Sequence, residues 1–328
     1  ELALKFTTDR LLEGGLLKNN GIKTDHDISA YWMRLHEACV SDRTLREVIA
    51  SLKPFVESVS RIDTDGQELR YHRNRNNDPS LSKYSIANLK LIQQSLRELE
   101  KLLSELKYRC VDFINEWKTG ACTTRCSRRD LLEIARMLPL RKNWNMEFFG
   151  AQKEKVKARF QLSNKQFSNA LDLIQANREM AAIIGIENDL LYITDDEVIW
   201  VLEQWRDIHP VRDKNEYRDI GEEYFTISRI KDKKKRCPPY MEVIERIKSC
   251  LSANSLADLE AIFYVERDGI FTEYYPRRVE QARKEHTMAN DLKQEIHHLI
   301  EKTNLLQCLQ RGAAKLGRLS LAERLKAI

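Results

Sequence analysis

The chain has 328 residues, 42% of them hydrophobic, and its 55 basic and 50 acidic side chains leave a formal charge of +5. That length buries a substantial core divided into two or three units, and the apolar content excludes a disordered chain. No run of about 18 apolar residues occurs, which excludes a membrane-spanning helix, and so small a net charge is weak evidence for nucleic acid, where local patches matter more.

With 11 Gly and 7 Pro, turns are scarce, while Leu, Lys, Glu and Arg, which lose little rotamer freedom in helices, dominate; the expected fold is all-α. The seven cysteines (Cys39, Cys110, Cys122, Cys126, Cys237, Cys250 and Cys308) are odd in number and scattered. They read as small buried hydrophobes in a reducing, cytoplasmic setting. The chain opens at Glu1 inside a helical pattern without a signal-peptide layout, and reads as a portion of a longer product.

Residues 1–18 form a helix broken at Gly14-Gly15, and Thr24 to Asp27 offers cap oxygens to a helix carrying Ile28, Tyr31, Trp32 and Leu35. A third helix starts near Ser41 or Asp42 and runs toward Val59, interrupted by Pro54. A polar, arginine-bearing loop from Asp63 to Lys83 leads into the stretch from Leu89 to Trp117. There Leu89, Ile92, Leu96, Leu99, Leu103, Leu106, Cys110 and Phe113 alternate steps of three and four, predicting one unbroken apolar seam on a long helix. Residues 1–117 thus read as an antiparallel helical bundle.

The segments ELALKFTTDRLLEGG, KTDHDISAYWMRL and QELRYHRNRNNDPSL, followed by the long amphipathic helix, resemble the HEPN-like helical domains of prokaryotic conflict and defence proteins. The resemblance rests on an entry helix, a His-Asp-hydrophobic helix start and an (F/L)RY segment before the last helix. It implies a four-to-five-helix bundle, often dimeric, that binds or cuts RNA or serves as an interaction module. Catalytic members carry an Arg followed, after four to six residues, by a His. None of His26, His36, His72, His209, His286, His297 and His298 has an Arg at that spacing, so the resemblance extends to the fold and not to the catalytic motif.

Residues 118–208 read as a helical middle domain. Ser127-x-x-Asp130, Ser163-x-x-Gln166 and Thr194-x-x-Glu197 mark three helix starts; a sharp turn at Gly185 makes a helix-turn-helix reader of DNA the alternative to a plain helical domain. Residues 209–239 read as an irregular basic linker with at most a short strand at 224–230, and 240–328 as a C-terminal helical domain. There Ser255-x-x-Asp258 predicts another cap, and a long charged helix extends from about Arg277 to Thr303.

Among candidate sites, Arg70, Tyr71, His72, Arg73 and Arg75 combine guanidinium groups with an aromatic ring, types that grip phosphates and stack bases. Lys233, Lys234, Lys235 and Arg236 extend a basic run suited to a nucleic-acid backbone or a solvated loop. Tyr274, Tyr275, Arg277 and Arg278 suit either a partner interface or an internal helix corner. Cys122 and Cys126 lack a second ligand pair, and Glu285, His286 and Glu295 do not make an HExxH spacing; they and His297-His298 read as surface polar groups, with no metal and no cofactor expected.

The expected function is a non-catalytic binding or scaffold subunit of a prokaryotic antiphage or toxin-like system, contacting another protein subunit, nucleic acid or a second copy of itself, with no membrane contact. The rivals are a metal-independent endoribonuclease using Arg70 and His72, and a DNA-binding regulator acting through residues 127–205.

Overall fold

The computed structural model describes residues 1–18, 26–63, 68–73, 77–82, 88–209, 240–288 and 292–328. Among these the chain is all-α: fifteen α-helices are seen, and the only β feature is an isolated bridge between Arg73 and Pro79. No described helix is long and apolar enough to cross a membrane. The segments 224–230 and Lys233 to Arg236 lie outside the described residues. Two compact units divide the chain, one of residues 1–139 and 143–174, the other of 140–142 and 175–328.

In the first unit, α1 (Leu2–Glu13), α2 (Ile28–Ala38), α3 (Arg43–Ile62) and α4 (Leu89–Trp117) pack around Leu11, Leu35, Ile49, Leu52, Leu106 and Phe113. Asp27 accepts hydrogen bonds from the amides of Ser29 and Ala30 to start α2, and Asp42 from that of Leu45 to start α3. Pro54 does not interrupt α3, which continues to Ile62. After α4 come α5 (Arg128–Met137), α6 (Glu147–Phe160) and α7 (Asn164–Ala176). Ser127 and Asp130 form the predicted capping box, and Ser163 and Gln166 exchange the equivalent pair of bonds.

The expected seam of α4 is real but only its C-terminal half is covered. Leu106, Cys110 and Phe113 are buried, whereas Leu89 is 76% exposed, Ile92 46% and Leu96 57%. At 1.5 Å per residue, the 29 residues of α4 span about 43 Å, against about 30 Å for the 20 residues of α3.

One buried side chain joins the helix starts of this unit. Arg109, on α4, donates to Asp42 Oδ2 through Nε (3.1 Å) and Nη2 (2.6 Å), and to Glu116 Oε1 (2.6 Å) and Oε2 (3.0 Å). Glu116 also accepts from the amide of Arg129, in the first turn of α5, and Asp130 from the amide of Arg43 in the first turn of α3. The same carboxylates that cap α3 and α5 therefore complete a charged cluster away from water. Burial, and then the neighbouring charge of Asp42, push the Asp130 carboxyl up to about 6.

The second unit holds α8 (Arg178–Ile183), α9 (Asp195–Ile208), α10 (240–250), α11 (Ala253–Arg267), α12 (Tyr275–Met288), α13 (Leu292–Ile300), α14 (Leu305–Lys315) and α15 (Leu319–Leu325). The long charged helix expected from Arg277 to Thr303 is seen as two helices, α12 and α13, on either side of residues 289–291. The α11 helix is the core element: Leu256, Leu259, Ile262, Phe263 and Val265 are buried on several of its faces. Its cap is Ser252, not Ser255, which places Asp258 inside the helix. There Asp258 accepts hydrogen bonds from the amides of Tyr192 (2.6 Å) and Ile193 (3.1 Å) and from the Tyr275 hydroxyl. The Ile262 carbonyl lies 2.3 Å from where a Cβ on Gly312 would sit, so α14 approaches α11 at a distance only glycine permits.

Two outcomes test the buried cluster. Arg109→Met leaves Asp42 and Glu116 without their cation and is expected to cost about 3–5 kcal/mol of unfolding free energy in urea. Asp130 has its folded pKa raised above the unfolded value, so its contribution is complete below pH 4 and is lost as pH rises toward 6. Asp130→Asn, which keeps an oxygen acceptor, should remove a stability loss on the order of 2–3 kcal/mol between those pH values, measured by denaturant titration of both proteins.

Candidate functional site

The first unit contains a cavity of about 210 Å³ reached by α1 to α4 and the segment after α3. Its walls are apolar, with Leu4, Leu52, Phe55 and Val59 facing Leu99 and Leu103 of α4. The last two continue the same seam that carries the exposed Ile92 and Leu96, so an apolar track runs along α4 from its free end into the cavity.

Polar groups gather at one side. Asp63, at the end of α3, accepts from the amides of Glu68 (3.0 Å) and Leu69 (3.2 Å), a local turn that brings Arg70 back over the bundle. The Arg70 guanidinium is ion-paired with the Glu1 carboxylate, and its Nη1 lies 3.4 Å from His26 Nδ1. His26 Nδ1 is in turn 2.9 Å from Glu1 Oε1. Glu1, His26, Asp63 and Arg70 all line the cavity. A largely apolar pocket with a few convergent polar groups is the usual form of a binding site.

The other sequence candidates separate. Tyr71 is 56% exposed, and His72 and Arg73 are exposed beside it. The His72 carbonyl accepts from the Ser80 amide, and Arg73 Nη1 donates to the Asn77 carbonyl at 2.7 Å, so this loop closes on itself. Arg70 meets His26 rather than the sequence neighbour His72. Arg75 and Lys233, Lys234, Lys235 and Arg236 lie outside the described residues.

Of the group Tyr274, Tyr275, Arg277 and Arg278, Tyr275 is fully buried with its hydroxyl on Asp258, Tyr274 and Arg278 are half-buried and Arg277 is exposed. The segment 127–205, read as a possible DNA reader, contributes α5 and α6 to one unit and α8 and α9 to the other. No family model matches the chain, and no curated protein or solved structure matches it.

His286, whose spacing predicts a surface group, lies instead in the interior. It is 3% exposed, and its Nε2 lies 2.8 Å from Glu260 Oε2. No local motif joins these residues, yet Tyr275, Val279, Ala282 and His286 repeat at steps of four, three and four, which puts the histidine on the core-facing stripe of α12.

The cavity is tested with a small aromatic probe. Indole should bind the full chain with millimolar affinity in ligand-observed NMR, and Leu103→Trp, which fills the space, should abolish the signal while leaving the circular dichroism spectrum unchanged.

Proposed function

We propose that the chain is a binding subunit that receives an amphipathic helix of a partner protein along the free half of α4. The observation that carries this reading is the open apolar seam: Leu89, Ile92 and Leu96 are all exposed, at 76%, 46% and 57%, on a helix whose opposite end is locked into a core. A contiguous apolar strip on a rigid helix is how one helix receives another, with anchors three and four residues apart. The cavity at Leu99 and Leu103 offers an anchor pocket at the end of the strip, and Arg70 beside it suits a carboxylate on the partner. On the HEPN-like resemblance, the setting is a prokaryotic defence or toxin-like system.

A second reading is favoured by the meeting of Arg70 with His26 and Glu1. A histidine oriented by a carboxylate beside a guanidinium supplies a proton acceptor and a cation for a developing phosphorane, the two needs of metal-independent RNA cleavage. In that reading His26, not His72, is the base.

The two are separated in one set of measurements. Ile92→Asp with Leu96→Asp alters only exposed residues and should abolish capture of a protein partner that the wild type retains, with helicity unchanged. Capture that survives the double substitution contradicts the helix-docking reading. Total tRNA incubated with wild type and with His26→Ala should remain intact in both; cleavage by the wild type alone establishes the second reading instead.

A further inference from the structure

We propose that Glu260, His286 and Glu295 form a binding site for a first-row divalent transition metal in the second unit. The three residues come from three helices, α11, α12 and α13, and present one ligand atom each within 4.8 Å of one another. Nothing in their spacing of 26 and 9 residues announces this; only the packing of the helices brings them together.

The orientation of the imidazole is the first argument. His286 Nδ1 lies 3.4 Å from the Ala253 carbonyl, which can only accept, so Nδ1 carries the proton. That fixes Nε2 toward the carboxylates. A metal-bound histidine is held in the same way, one ring nitrogen donating to a carbonyl and the other free to ligate. The alternative, an imidazolium paired with Glu260, satisfies that carboxylate alone.

The second argument is charge. A buried histidine requires one carboxylate for a salt bridge, yet two converge on it from different helices. Two carboxylates facing one imidazole present more negative charge than a single protonated histidine neutralises, an excess that a dication balances. The chemistry of the set, one imidazole nitrogen and two carboxylate oxygens, suits manganese, iron or zinc better than a thiol-seeking metal. Three protein ligands leave coordination positions for water or substrate. Glu260 is partly exposed and also lines a surface cleft of about 270 Å³ with Arg267, Arg278 and Gln281, which supplies a route for the ion.

Manganese(II) is the probe to use, because the chain's cysteines have little affinity for it. In a titration of the full chain followed by loss of the free Mn²⁺ electron paramagnetic resonance signal, the wild type should bind one ion per chain. Glu295→Gln should weaken binding at least tenfold, and Glu285→Gln, on the cleft but outside the triad, should leave it unchanged. Glu295 is half-exposed, so its amide variant is expected to fold, and its circular dichroism and melting curve verify that. Nitrogen hyperfine coupling to the bound ion should be present in the wild type and absent in His286→Gln. No binding by the wild type, or equal binding by wild type and folded Glu295→Gln, overturns the proposal.

Discussion

Arg109 is the constraint on which the first unit rests. Its guanidinium is buried and always charged, so the fold must place carboxylates around it or not form at all. Asp42 and Glu116 do so, and both are bound elsewhere: Asp42 caps α3, and Glu116 accepts from the first turn of α5. The start of α3, the end of α4 and the start of α5 are therefore held by one cation. Such a cluster adds less net stability than its short bonds suggest, because every member loses water. Its effect is registry: no other sliding of α3 against α4 satisfies Asp42, Arg109 and Glu116 together.

That fixed end gives the other end of α4 its character. Leu106, Cys110 and Phe113 are clamped beside the cluster, whereas Leu89, Ile92 and Leu96 toward the start of the helix are exposed. The same periodic sequence thus makes core at one end and open surface at the other. A seam read from sequence tells which face is apolar; only the packing of neighbouring helices tells how much of it finds cover.

Much of the fold was legible residue by residue. The helix starts at Asp27, Ser127 and Thr194 follow from side-chain oxygens placed before apolar runs, a local effect that sequence records directly. Ser255 misled because Ser252 stands one turn earlier with the same chemistry, and the cap goes to the residue whose backbone is extended. Arg70 was visible as a candidate, but its neighbours Glu1 and His26 lie 69 and 44 positions away, and a loop's closing direction is set by tertiary contacts such as Asp63. Tyr275 showed the limit in the other direction: an aromatic beside arginines looks the same in sequence whether it faces a partner or an internal aspartate. The convergence of Glu260, His286 and Glu295 left only the core-facing stripe of α12 as a trace.

The α4 helix has two fates, anchored from Leu106 onward and exposed along its seam before Leu99. Native-state hydrogen exchange along this helix tests this most directly. Amides from Leu106 to Trp117 should exchange only through global unfolding, while those from Ile92 to Glu98 exchange orders of magnitude faster through local opening. Uniform protection along the whole of α4 in the isolated chain would mean that its seam is already covered and that no free half exists.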